Sequence, residues 1–138
     1  MPTIVEYILG EWGETERVNG EINLRVLDYL RTCGLKPADP WCGALLSWAA
    51  IQSGVTPPPH AGVARAWLMV GEPVLNPRVG DIAVLRRGLT WEGHVGVFIR
   101  YVDRGSKVLV LAGNQSDSVG IAPFDSSKIL GFRRVVSQ

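Results

Sequence analysis

The chain has 138 residues, 46% of them hydrophobic and 20% charged, with 14 Lys and Arg against 13 Asp and Glu for a net charge of +1. That size and composition suit one globular domain with a core that needs no disulfide staples, and they exclude a disordered chain. The balanced charge gives no electrostatic case for nucleic acid or an anionic membrane, since the basic residues are scattered and form only the doublets Arg86-Arg87 and Arg133-Arg134.

No repeat, low-complexity tract or linker divides the sequence, so residues 1–138 read as a single domain. The first residues lack the basic segment and apolar core of a signal peptide, and no apolar stretch is long enough to span a bilayer. The expectation is a protein made in the cytoplasm, without membrane insertion, that another system delivers if its substrate lies outside. Residues 2–12 suggest a short helix with Ile4, Tyr7 and Ile8 on one side, and residues 14–19 a polar loop. Ile22, Val26, Tyr29, Leu30 and Cys33 recur at helical spacing, with Gly34 as a stop and Pro37 beyond. Asp39 as N-cap and Pro40 at the first helical position predict a second helix running to about Ser53 and ended by Gly54.

Consecutive prolines at 57–59 make a rigid loop before His60. Residues 62–70 suggest a short helix with Val63, Ala66, Trp67 and Val70 inward. After Pro77 the pattern becomes β, with short strands over 81–85, 94–101, 107–112, 119–122 and 129–135. Helices first and an antiparallel meander second predict an α+β domain, N-terminal helices packed on a five- to six-stranded antiparallel sheet.

Cys42 and His94 carry the chemistry. A thiol in the first turn of a helix sits at the positive end of the backbone dipole, which favours thiolate, and the free N–H groups there can hold an oxyanion. His94, flanked by Gly93 and Gly96, shares a strand face with Phe98 and Arg100; placed on the helix-facing side, it could reach Cys42 as general base and then acid. A third group should orient the imidazole. The segment Gly113-Asn114-Gln115-Ser116 supplies it, with Asn114 the first choice and Gln115 the second. Asp39, besides capping, could touch substrate amines. Of the 5 tryptophans, Trp48 and Trp67 read as core, while Trp41 and Trp91 stand near the proposed catalytic residues and could line a groove. The 2 histidines lie far apart and no Cys-x-x-Cys or His-x-x-x-His spacing occurs, so a metal site is poorly supported. Asp81, after Gly80, reads as a turn organiser.

The ordered set of segments resembles the papain-like bacterial and phage cell-wall hydrolases of the NlpC and CHAP type. The matching segments are Pro40-Trp41-Cys42-Gly43-Ala44, Ala64-Arg65-Ala66-Trp67-Leu68, Gly80-Asp81-Ile82, Gly93-His94-Val95-Gly96, Gly113-Asn114-Gln115-Ser116-Asp117 and Leu130-Gly131-Phe132-Arg133-Arg134. The resemblance implies a papain-like fold and a Cys42–His94–Asn114 triad. It also implies hydrolysis of peptidoglycan amide bonds through a thioester, without metal or organic cofactor. The bond would join muramic acid to L-alanine or lie within the stem peptide. The implied partners are peptidoglycan or muropeptides, with an immunity protein or delivery machinery if the hydrolase is a toxin. The competing class is a catalytically silent wall-binding or structural module of a phage tail or secretion apparatus.

Overall fold

The structure, a computed structural model, describes residues 2–88 and 92–136. Helix α1 (Ile4–Leu9) starts at a capping box in which Thr3 and Glu6 each bond the other's backbone amide. Ile4 and Ile8 point inward as their spacing predicts. The segment expected as loop instead contributes β1 (Arg17–Val18), paired antiparallel with β2 (Glu21–Ile22) across Asn19 and Gly20. Both turn residues have positive φ, the conformation that makes Asn-Gly a hairpin turn. Helix α2 (Leu24–Arg31) therefore begins later than the periodicity suggests, because Asn23 caps it through the Arg25 amide at 2.9 Å.

Helix α3 (Cys42–Gln52) packs on α1, on α2 and on the sheet, and is apolar almost all round. A buried carboxylate ties the helical layer together. Glu11 accepts hydrogen bonds from the Arg25 guanidinium and, at 2.5 Å, from the Tyr29 hydroxyl. Burial works against its ionisation, but these bonds and the Arg25 charge hold the carboxyl below its ordinary range. Residues 64–69 form a 3₁₀ helix that buries Ala64 and Trp67; Val63, expected inward, is exposed.

Among the described residues the main sheet has six strands: β3 (Glu72–Val74), β4 (Ile82–Arg86), β5 (Gly93–Val102), β6 (Lys107–Gln115), β7 (Ser118–Asp125) and β8 (Ile129–Arg134). Their order is β3-β8-β4-β5-β6-β7, antiparallel throughout. The five expected strands are present. Strand β3 is an addition that the sequence pattern hides, since its central Pro73 is tolerated only because the strand lies at the edge. Ile82, Val84, Val95, Val97 and Leu111 face the helices in the larger core. Ala83, Leu85, Phe98, Val110 and Phe132 build a second, smaller core on the opposite face. Asp81 enters β4 as a turn organiser, accepting from the Arg78 amide at 2.8 Å and from Arg134 at 2.8 and 2.7 Å. The protein is α+β, helices on an antiparallel sheet.

Candidate active site

Cys42 is the first residue of α3, but the helix is not capped as the sequence predicts. Asp39 Oδ2 accepts from the Lys36 amide at 2.7 Å, closing a turn of its own, and Pro40 stays outside the helix. Trp41 occupies the cap position and makes no side-chain bond to the helix. The carboxylate has found a nearer donor, a local competition open to any Asp beside a turn. The consequence is chemical, because the amides of the first helical turn are left without a side-chain acceptor.

Burial pushes the Cys42 thiol above its ordinary value, and the backbone amides of Val95, Gly43 and Cys42, with the charge of Arg87, offset this only in part. The expected thiolate is thus not the resting form. Cys33 and Cys42 are both free.

Trp41, expected along a groove, is fully buried and stacks on Tyr29 at 6.0 Å with planes 24° apart. So large an apolar ring is most stable inside, and here it positions the start of α3 against β6. Gly113 of β6 makes that possible, since a Cβ there would lie 2.7 Å from the Trp41 ring. Trp91, the other groove candidate, lies outside the described residues.

His94 stands in β5 opposite Leu85 of β4. The alternation is as expected but the face is not. Val95 and Val97 turn toward the helices, so His94 projects to the other side, its ring 5.2 Å from that of Phe124. The β-branched, wholly apolar set takes the larger core, and a period of two leaves the histidine no choice. The thiol lies in the core on the helical side and the imidazole on the opposite side of the sheet, with the Val95 amide of β5 among the groups that favour ionised Cys42. Strands β5 and β6 pair from Val97 and Leu111 onward, and the β6–β7 ladder shifts register between Ala112 and Gln115. Gly96 lets β5 pack closely on β6, since a Cβ there would lie 2.5 Å from the Leu111 carbonyl oxygen.

Gln115, not Asn114, holds the imidazole. The bulge puts Asn114 at φ 58 and rotates it out of the strand alternation, leaving Gln115 on the face that His94 occupies. His94 Nε2 lies 3.1 Å from Gln115 Oε1. The Gln115 amide nitrogen donates to the carbonyls of Val110 and Gly120, so its oxygen must accept. The imidazole is thereby assigned as the Nε2–H tautomer, with its lone pair on Nδ1. That Nδ1 is buried and has no hydrogen-bond partner among the described residues. Burial pushes His94 down to about 4; Gln115 opposes the shift and the Arg87 charge adds to it. At neutral pH the pair is a thiol and a neutral imidazole.

No protein-family model matches this chain, and no curated protein matches it.

Two clefts meet at the site. One, of about 510 Å³, is lined by the buried Cys42 with Pro40, Val63, Ala64 and Glu92. The other, of about 330 Å³, holds His94 with Gln115, Phe124, Arg86 and Lys128. Arg87 and Asn114 line both, so these two residues stand between the clefts. The sequence reading overlooked Arg87; its signal was the basic doublet at the end of the strand that pairs with His94. His60 lies apart, at an apolar depression with Val63 and Met69. Among the described residues no group of three or more His, Cys, Asp and Glu side chains could hold a metal ion, and no helix is long and apolar enough to cross a membrane.

Proposed function

We propose that the protein is a cysteine-dependent amide hydrolase acting on peptidoglycan, with the papain-like arrangement its motifs resemble, and that its reactive group is Cys42–His94–Gln115. The observation that carries the reading is His94 itself. It is buried, held by Gln115 in one tautomer, and its Nδ1 has no hydrogen-bond partner among the described residues. A histidine with only a structural role has no need of an orphaned ring nitrogen.

The resting thiol and neutral imidazole call for proton transfer during attack. As Cys42 Sγ adds to the substrate carbonyl carbon, His94 Nδ1 takes the thiol proton, and a first-turn amide such as that of Cys42 receives the oxyanion. The tetrahedral intermediate collapses with cleavage of the C–N bond, and the amine leaves with the proton from Nδ1. Water, deprotonated by Nδ1, then attacks the thioester, and the acid departs as the thiol is restored. Gln115 keeps the ring oriented throughout. The reading requires the His94 ring and Cys42 Sγ, which lie on opposite sides of the sheet, to come within bonding distance around the start of β5 in the substrate complex. Asn114, at the junction of the clefts, is placed to contact substrate.

A second reading has its own support. The raised thiol, the depressed imidazole and the missing hydrogen bond between them also fit a catalytically silent wall-binding module. Digestion of purified sacculi by wild type and Cys42→Ala in parallel, with products identified by mass, decides between them. Release by wild type alone supports the hydrolase and names the bond; release by neither, from folded protein, removes it.

A further inference from the structure

The cleft that holds His94 is electrostatically lopsided. Among the described residues it is lined by Arg86, Arg87 and Lys128 and by no Asp or Glu, in a chain whose 14 cations and 13 anions nearly balance. All three cations are exposed, and none forms an ion pair with a described residue. Asp125 is held by Lys107 at 2.7 Å, and the Glu92 carboxylate abuts Gly88 at the mouth of the cleft without forming an ion pair with a described residue. Glu92 itself lines the cleft of the thiol, where Pro40, Val63 and Ala64 make the rest of the wall largely apolar.

Thiol acyl transfer gives this asymmetry a direction. The acyl fragment stays on the sulfur, while the amine departs on the side of the group that protonates it. Resting on the hydrolase reading above, we propose that the His94-side cleft is the leaving-group subsite, and that Arg86, Arg87 and Lys128 select substrates whose departing amine fragment carries a carboxylate. Guanidinium forks match a carboxylate in plane, and Lys128, next to Ile129 that pairs with Leu85, adds a point charge beside Arg86. Phe124, against the His94 ring, offers an apolar surface to the fragment's aliphatic part. The choice of ligand also serves the chemistry. The Arg87 charge depresses the basicity of His94, and a carboxylate bound beside Arg87 offsets that charge while the base is needed.

The test separates binding from turnover. Binding of acetyl-L-alanyl-γ-D-glutamyl-L-lysine, with free carboxylates, is compared with that of its fully amidated form on the Cys42→Ala protein by calorimetry at pH 7. The acid should bind about fivefold tighter or more, and the preference should shrink toward onefold in an Arg86→Gln/Lys128→Gln background and at high salt. Both substituted positions are exposed, and circular dichroism checks that the fold is unchanged. Equal binding of acid and amide, or a preference that survives the double substitution, overturns the proposal. Digestion of sacculi by the wild type reports on the hydrolase reading separately. A charge preference without turnover would leave a cationic cleft but no leaving group, and would also overturn the assignment.

Discussion

Acidification should unfold this protein through one residue more than through any other histidine or cysteine. His94 titrates at about 4 in the folded state against 6.5 without the fold. A gap of roughly 2.5 pH units at ~1.36 kcal/mol each gives about 3 kcal/mol. The sign follows from which state binds the proton. The folded state holds His94 neutral, so the unfolded chain binds more protons between these values. The contribution is intact above pH 6.5, is lost as pH falls, and is gone below about 4. For a domain stabilised by roughly 5–15 kcal/mol, that loss is large. Urea unfolding at steps from pH 7 to 4, on wild type and His94→Gln, isolates it. Glu11 and Asp81, also held below their ordinary values, lose stability in both proteins and drop out of the difference. Wild type should approach the variant by about 3 kcal/mol over this range. Parallel stability curves, or a His94 ring resonance titrating near 6.5, would refute the reasoning.

Further outcomes follow from the same geometry. Gly113→Ala should cost about 2–4 kcal/mol in denaturant unfolding, because its Cβ would meet the Trp41 ring at 2.7 Å and that ring is fully buried. Gln115→Leu should destabilise by about 1–3 kcal/mol, since it strips donors from the Val110 and Gly120 carbonyls. It should also lower the His94 titration further, visible by NMR, because the Gln115 bond favours the charged ring. Alkylation of Cys42 followed against pH should report a thiol above its ordinary range; a thiolate at neutral pH would contradict the burial described here.

The layers of this fold were legible because each follows from a period. The 3.6-residue spacing of Val26, Tyr29 and Leu30 and the alternation through Val95, Val97 and Ile99 need no tertiary knowledge. The start of α3 was not legible, because Asp39 had two possible donors and only packing decides which one wins. The face of His94 was not settled by alternation alone, since Val95, Val97 and Ile99 stand against His94, Gly96, Phe98 and Arg100, and Phe98 has an apolar core of its own on the second face. Chemical expectation placed the histidine inward. The orienting residue depended on a bulge, and a one-residue shift exchanges Asn114 for Gln115. Resemblance supplied the types of residue at the site, whereas the register of β6 supplied the partner.

The helical layer and most of the sheet are also consecutive along the chain, and this has a practical consequence. Everything through β3 supplies the thiol, everything from β4 onward supplies the imidazole and its glutamine, and the intervening segment runs outward, with Leu75 94% exposed. On the hydrolase reading proposed above, cutting the chain there would leave two inert pieces, each holding half of the proposed reactive group. The apolar face each piece must cover is the one that the other provides, so the pieces are natural halves for complementation. Activity recovered on mixing them would then serve as a reporter of whatever brings the halves together.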